Sequence, residues 1–323
     1  MSEKIMIRAL NEALHEEMGR DENVFVIGED VAKMGGSWQV TAGLLQKYGA
    51  ERVIDTPISE MGYTAMSLGQ TLMGRRPVIE VMFADMLTFA YDSIVNQATK
   101  FHYMTGGLVD APIVIRAAQG VGGGIGCQHS QSTEGWFMNV PGIKIISPST
   151  PADAKGLLKS AIRDNNPVLF LEHKALYKMS GDVPDGEYVI PIGKASRVKE
   201  GKDLTIIASQ VMLRFALAIV PELEKEGISV EVIDPRTIKP FDRDMLCESA
   251  KKTGRVMIIH ENCREGGYGA EMAATIYEEC LPYMKKPVAR LGGADSCIPY
   301  GPAEWFLFPN KDTILQTARD LMK

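Results

Sequence analysis

The strongest constraint on this chain is a repeated alternation along its length. Short apolar, β-branched runs recur with amphipathic helical stretches between them. Strands spaced by helices in this way must lie mainly parallel, joined by right-handed crossovers. Val24–Ile27, Arg52–Ile54, Val78–Phe83, Ile113–Arg116, Lys144–Ser147 and Val168–Glu172 read as strands. Ile5–Met18, Glu60–Met73, Leu87–Tyr103 and Ala152–Arg163 read as the intervening helices. In the first of these, Ile5, Ala9, Ala13 and Leu14 share one face while Glu12, Glu16 and Glu17 face water. The pattern stops at Met179–Lys202, where Gly181, Pro184, Gly186, Pro191, Gly193 and Gly201 sit among charged residues and read as a linker or an excursion. A second series follows, with strands at Leu204–Ala208, Val230–Ile233, Val256–Ile259 and Val288–Leu291. Its helices are Met212–Glu226, Asp242–Thr253, Ala270–Cys280 and Thr313–Met322. The spacing predicts two α/β domains, 1–185 and 186–323, the first built on a parallel sheet and the second smaller.

Several classes of function are excluded early. A formal net charge of −6, with no Lys/Arg cluster, lacks the electrostatic footprint of a nucleic-acid binder. No apolar run reaches the ~18 residues needed to span a bilayer. Residues 1–20 place Glu3, Lys4, Arg8, Glu12, Glu16 and Glu17 among apolar positions, so no signal peptide is expected there. The five cysteines, Cys127, Cys247, Cys263, Cys280 and Cys297, form an odd set without a CxxC pair. Reduced thiols in a cytoplasmic compartment are expected, not a disulfide framework or a zinc site.

Four local features carry chemistry. The run Gly120-Val121-Gly122-Gly123-Gly124-Ile125-Gly126 follows a strand and could bring backbone amides to a phosphate. Cys127-Gln128-His129-Ser130 follows it instead of an apolar helix start, so the dinucleotide fingerprint fails. On its own the run reads first as a strained loop. His129 ends the same stretch, beyond the carboxyl end of a parallel strand, where a histidine can exchange protons near neutral pH or merely cap the surface. Glu60 opens a helix behind a Ser59 cap. It either complements the helix dipole or is a carboxylate desolvated among Ile58, Met61 and Met66. Gly62, Ala65, Gly69 and Gly74 make that helix thin enough for close approach by another chain. Asp164-Asn165-Asn166-Pro167 reads as a helix end and turn.

Taken together, ordered stretches over essentially the whole chain resemble a known family. They are Gly28-Glu29-Asp30-Val31, Asp55-Thr56-Pro57-Ile58-Ser59-Glu60, Tyr103-Met104-Thr105-Gly106-Gly107, Gln128-His129-Ser130-Gln131, Pro141-Gly142, 147–157, 160–167, Asp234-Pro235-Arg236-Thr237 and Gly267-Tyr268-Gly269-Ala270-Glu271. The family is the β subunit of the thiamin-diphosphate-dependent first component of 2-oxoacid dehydrogenase complexes, including pyruvate and acetoin types. The resemblance implies a transketolase-like α/β fold with a pyrimidine-binding domain and a C-terminal domain for subunit and acyltransferase docking. It implies cofactor contacts at Glu29, Glu60, Met82 and Met86. The carboxylate matching Glu60 hydrogen-bonds the aminopyrimidine N1′ of the cofactor. It thereby favours the tautomer whose exocyclic nitrogen removes the thiazolium proton. The histidine matching His129 handles protons during acyl transfer to a lipoyl arm. A potassium site maps onto Ile113, Ala161, Ile162, Asp164 and Asn166. The position matching Met86 is commonly aromatic in the family, so tight stacking on the pyrimidine is not expected here.

One family motif is missing. The Mg²⁺-diphosphate of such enzymes is bound through GDG followed downstream by NN, whereas Gly181-Asp182 is followed by Val183 and Asn165-Asn166 precedes it. The resemblance therefore implies an α subunit that supplies the diphosphate half and most of the Mg²⁺ ligands. The expected assembly is an α2β2 heterotetramer, active on a small-molecule substrate, that visits a dihydrolipoyl acyltransferase core. Pyruvate decarboxylation and acetoin cleavage are the leading activities. Branched-chain 2-oxoacid specificity and a non-catalytic docking subunit are the alternatives. A nicotinamide oxidoreductase built on Gly122–Gly126 is a further rival.

Overall fold

The computed structural model describes residues 1–323. In chain order the first elements are β1 (Ser2–Ile5), α1 (Met6–Arg20), β2 (Val24–Gly28), α2 (Leu44–Tyr48), β3 (Val53–Asp55), α3 (Glu60–Thr71) and β4 (Arg76–Val81). Then come α4 (Thr99–Met104), β5 (Val114–Gln119), α5 (Glu134–Met138), β6 (Lys144–Ile146), α6 (Pro151–Arg163), β7 (Val168–His173) and β8 (Ser180–Val183). The remainder comprises β9 (Ser196–Lys199), β10 (Leu204–Ala208), α7 (Gln210–Lys225), β11 (Val230–Asp234), β12 (Thr237–Lys239), α8 (Arg243–Thr253), β13 (Val256–Cys263), α9 (Gly269–Cys280), β14 (Ala289–Gly293) and α10 (Lys311–Met322). No helix is long and apolar enough to cross a membrane.

The chain divides into two compact units, one of Met1–Gln119 with Asn139–Ile192, the other of Gly120–Met138 with Gly193–Lys323. In the first unit β6, β7, β5, β4, β2 and β3 adjoin in that order, every pair parallel. Residues of β2, β4, β5 and β7 are buried throughout or nearly so, as expected of strands covered on both faces. Helix α1 packs on α6, with Met6, Leu10, Ala13 and Leu14 sharing a core cluster with Ala154, Leu157, Leu158 and Ala161, and through a ladder of ion pairs. The buried Lys155 ammonium reaches Glu16 at 2.6 Å and Glu12 at 3.2 Å. The buried Lys159 reaches Glu16 at 2.5 Å and Glu187 at 2.6 Å. Burial opposes the charge on Lys155, but the hydrogen bonds from Glu16 and Glu12 outweigh it and raise its pKa.

The centre of this sheet holds a buried charge cluster. Arg116 on β5 donates from Nε and Nη2 to both oxygens of Glu172 on β7, at 2.7 and 2.8 Å, and from Nη1 to Glu80 on β4 at 2.7 Å. The Tyr177 hydroxyl donates to Glu172 Oε2 at 2.7 Å. Burial raises the Glu80 pKa, with Arg116 pulling it back down; burial opposes the Arg116 charge, but Glu172 and Glu80 outweigh it and raise its pKa. Gly36, at φ +78°, sits against this cluster, where a Cβ would come within 2.6 Å of Glu80 Oε1.

In the second unit the sheet order is β14, β13, β10, β11, β9, with β9 as an antiparallel edge and the other pairs parallel. Its core gathers Leu204, Ile206, Val230, Val232, Met257 and Ile259 from the strands with Ala216, Leu223, Ile314 and Ala318 from α7 and α10. Val121 belongs to the same cluster.

Two expectations need correction. The segment 179–202 is not linker throughout: β8 pairs antiparallel with β1, and β9 closes the edge beside β11. Pro184, Gly186, Pro191 and Gly193 lie between these short strands, Gly181 lies within β8 and Gly201 follows β9, and the pairing partners are far away in sequence. The stretch Leu87–Tyr103 is not one regular helix. It contains a short 3₁₀ turn at Ala84–Thr88 and a wide π segment at Ser93–Ala98 leading into α4. There Thr99 Oγ1 and Lys100 Nζ donate to the Val95 carbonyl at 2.8 and 2.7 Å, drawing it away from regular helical bonding. The compact units also differ from the 1–185 and 186–323 division: the first continues to Ile192, and 120–138 cluster with the second.

Replacing Arg116 by Met leaves Glu80 and Glu172 buried without their cation. Urea denaturation of Arg116→Met should show a loss of about 3–5 kcal/mol, and a loss below ~1 kcal/mol would contradict the role given to the cluster.

Candidate active site

Open parallel sheets bind ligands beyond the carboxyl ends of their strands. In the first unit three neighbouring strands deliver the expected residues there. Glu29 follows β2, Glu60 opens α3 after β3, and Met82 and Met86 follow β4. Glu60 is only 7 % exposed. The apolar enclosure expected from Ile58, Met61 and Met66 is absent, because those side chains are exposed. Nor does Ser59 cap the helix through its side chain, although it occupies the N-cap position.

The polar company of Glu60 was not foreseen. Tyr63, one turn into α3, is buried, and its pKa is raised by burial, then by the charges of Glu29, Glu60 and Glu80. Glu29 is half-buried, and its pKa is raised by burial first, then by the negative charges of Glu60 and Asp30. Asp30 itself stands in the left-handed region at φ +56°, a conformation its short polar side chain tolerates. Glu29 Oε1, Thr56 Oγ1, the Tyr63 hydroxyl and Thr64 Oγ1 are buried atoms that close no well-formed hydrogen bond. Buried polar atoms in a folded chain are almost always paired, so this group marks a place where a polar ligand completes the bonding. Met82 and Met86 are half-buried after the neighbouring strand β4, with thioethers able to pack on a planar ring.

In the second unit, the glycine-rich run proves to be an anion-binding loop that is already filled. Gly122 and Gly124 N–H donate to the Glu304 carboxylate at 2.8 and 3.1 Å, and Val121 N–H donates to Glu261 at 3.0 Å. The phosphate-cradle and nicotinamide readings of Gly122–Gly126 lose their basis, since the amides they need are engaged by side chains of the chain itself. These contacts also give the physical reason why 120–138 cluster with the second unit. His129 follows on this loop, half-buried, with its backbone N–H donating to Gly126 O at 3.3 Å.

Residues 3–180 match the family described as transketolase, pyrimidine binding domain, and residues 193–314 match transketolase, C-terminal domain. The 2-oxoisovalerate dehydrogenase subunit beta of Bacillus subtilis (strain 168) is 44% identical over 324 residues, covering 99% of each chain. The pyruvate dehydrogenase E1 component subunit beta of Staphylococcus epidermidis is 41% identical over 320 residues, covering 99% of this chain and 98% of the relative. The chain belongs to the E1 β-subunit family of 2-oxoacid dehydrogenase complexes. A solved structure titled "Split gene transketolase, inactive beta4 tetramer" superposes with a TM-score of 0.79 at 25% identity, covering 98% of this β-subunit-type chain and 97% of the other.

The turn suggested for potassium is held by other cations. Arg76 donates from Nη2 to Ile162 O at 2.9 Å and to Asp164 O at 2.7 Å, and Lys144 pairs with the Asp164 carboxylate. Burial works against the Asp164 charge, but Lys144 and Asn166 outweigh it and lower its pKa. Ile113 O accepts from Val168 N–H at 2.9 Å and Ala161 O from Asp164 N–H at 3.2 Å. Ile162 O also accepts from Arg76 Nε at 3.0 Å, so an alkali cation at this turn would have to share its oxygens with the Arg76 guanidinium.

All five cysteines are free thiols. Cys127, Cys263 and Cys297 line one cavity of about 790 Å³ in the second unit, along with Trp136, Asn262 and Phe308. The even seventeen-residue spacing of Cys263, Cys280 and Cys297 concealed this, since Cys280 is instead buried and donates its thiol to Cys247 O at 3.7 Å. Beneath the cavity lies His260, fully buried, its Nδ1 paired with Asn262 O at 3.1 Å. Gly267, Gly269 and Gly292 press on its ring, where a Cβ on any of them would come within 2.8 Å.

Burial lowers the pKa of His260 to about 4. As pH falls from about 6.5 toward 4, the unfolded chain binds a proton that the folded chain refuses, so stability should fall by up to ~1.4 kcal/mol per pH unit. Denaturant unfolding of His260→Gln should show a correspondingly shallower slope over that interval, and an unchanged slope would refute the assignment.

Proposed function

We propose that the chain is the β subunit of a thiamin-diphosphate-dependent first component that decarboxylates a 2-oxoacid and passes the acyl group to a lipoyl domain. The observation that carries this reading is the pair Glu60 and Glu29 at adjacent strand ends, beside buried polar atoms that close no well-formed hydrogen bond, within a domain of the pyrimidine-binding family. When bound, the cofactor supplies an electron sink. Glu60, Glu29, Met82 and Met86 would hold its aminopyrimidine. The Glu60 carboxylate would hold the ring nitrogen N1′ through a hydrogen bond or a shared proton. The thioethers would pack against the ring, and the buried Tyr63 lies within electrostatic reach of both carboxylates. His129 moves protons during transfer of the acyl group to the lipoyl arm.

The diphosphate and Mg²⁺ belong to an α subunit in this proposal, because the chain has no GDG…NN pair. A partner is further supported by exposed apolar side chains on and beside α3, with Ile58 83 % and Met73 78 % exposed, and by Gly62 and Gly69 thinning the same helix. An α2β2 heterotetramer serving a dihydrolipoyl acyltransferase core, in a reducing cytoplasmic compartment, accommodates these features. Relatives named for pyruvate and for 2-oxoisovalerate match at 44% and 44% identity, so the substrate class proposed is the 2-oxoacids as a whole. Potassium is proposed to bind at Ile113, Ala161, Ile162, Asp164 and Asn166, stiffening the turn after α6.

The test is reconstitution with an α subunit carrying GDG…NN. Glu60→Gln should lower 2-oxoacid turnover about 10²–10⁴-fold with little change in melting temperature, whereas a docking-only subunit would leave turnover intact. Replacing choline chloride by KCl should raise the melting temperature of the wild-type assembly and not that of Asp164→Ala. Equal melting temperatures of the wild type in both salts would remove potassium from the proposal.

A further inference from the structure

A carboxylate filling a glycine nest has a consequence for the residue at the end of that nest. Consecutive amides in a loop of alternating handedness form a concave donor site that in other proteins takes phosphate. Here Gly120, Gly122, Gly124 and Gly126 all have φ between +64° and +113°, and the concavity is occupied by Glu304. Glu304 is only 2 % exposed and accepts two bonds from Gly124 N–H, at 3.1 Å to each oxygen, besides the one from Gly122. Such N–H···carboxylate bonds are roughly twice as strong as neutral ones, and a buried carboxylate depends on them to offset its lost hydration.

The segment bearing Glu304 grips the loop at further points. Gly301 N–H donates to Gly124 O at 2.9 Å, and Ile125 and Tyr300 form an isolated β-bridge. A Cβ on Gly126 would fall 2.5 Å from the Tyr300 ring, and one on Gly124 would fall 3.0 Å from the Gly301 Cα. Gly126 then accepts the backbone N–H of His129. An unbroken chain of contacts thus runs from the Glu304 carboxylate through Gly124 and Gly126 to His129, all within one compact unit.

We propose that Glu304 is a positioning residue for His129: its charge, seated in the glycine nest, fixes the loop from which the imidazole acts. The inference rests on the proton-handling role proposed for His129. Glu261, bonded to Val121 N–H, fastens the entry to the loop in the same way. The run needs glycine because its amides must turn toward one carboxylate and its backbone must pass against Tyr300 and Gly301, not because a nucleotide approaches it.

The experiment uses the reconstituted α2β2 assembly and reads two rates on the same 2-oxoacid. One is acyl transfer to the lipoyl domain of the acyltransferase. The other is oxidation by ferricyanide, which bypasses the lipoyl arm. Glu304→Gln keeps the side-chain length but removes the charge and turns an NH2 group toward amide donors. Its lipoyl-dependent kcat should fall about tenfold or more, with the ferricyanide rate changed less than about twofold. Gly124→Ala, which leaves Glu304 intact but displaces the loop, should give the same split, which guards against a folding defect in one variant. The double variant Glu304→Gln, His129→Gln should be no slower than His129→Gln alone, as expected for residues acting through one another. Equal loss of both rates in Glu304→Gln and Gly124→Ala, or full lipoyl transfer in both beside a crippled His129→Gln, overturns the positioning role and leaves the role of His129 standing. Full lipoyl transfer in His129→Gln overturns both.

Discussion

Arg116 governs the arrangement of the first unit. A guanidinium buried in a parallel sheet is costly, and it is tolerated only because two carboxylates from the flanking strands bond it. That requirement locks the relative positions of β4, β5 and β7 at one level. The strand ends just beyond it are the ones that lead to Met82 and to the His129 loop. Gly36 is part of the same constraint, since any side chain there would collide with Glu80. The buried cluster is therefore a register device: hydrophobic residues would pack as well, but would not distinguish one alignment of the three strands from another by a whole residue step.

Carboxylates recur as the organising groups, in three different states. Glu80 and Glu172 are neutralised by Arg116. Glu261 and Glu304 are held by backbone amides. Glu29 feels the charge of Glu60, and neighbouring polar atoms close no well-formed hydrogen bond. Only the last arrangement is one that a folded chain does not normally keep for its own sake. The difference separates structural acids from the pair proposed to meet a ligand, and among the six only Glu29 is half-buried instead of buried.

Much of this was legible along the chain, and the limits of legibility have physical causes. Leu204–Ala208 emerges with the bounds its apolar run suggests, and the other long strands differ from their runs by a few residues. Fully buried parallel strands are nearly continuous in hydrophobicity, and helices between them keep their period. Strands β1, β8 and β9 were not legible, because their pairing residues are polar and their partners lie far off in sequence. The π segment before α4 depends on Thr99 and Lys100 capturing one carbonyl, an event with no periodic signature. Among the site residues, Glu60, Glu29 and His129 were found through family motifs. Tyr63 escaped notice because a tyrosine one turn into a helix reads as core. Glu304 escaped because it lies 180 residues from the amide of Gly124 it holds.

By itself, then, the sequence determined the element order, the parallel topology, the strand ends where Glu29, Glu60 and the His129 loop emerge, and the family to which they point. These are consequences of local periodicity and motif, which act over a few residues. Only the tertiary structure decided that the glycine run is filled by Glu304 and Glu261, that residues 120–138 cluster with the second unit, and that three distant cysteines share a cavity. It also decided that Ile58, Met61 and Met66 stay exposed around Glu60. Each of these outcomes depends on which groups meet across long sequence separations. Burial and hydrogen-bond satisfaction are settled by such encounters, and no window along the chain contains them.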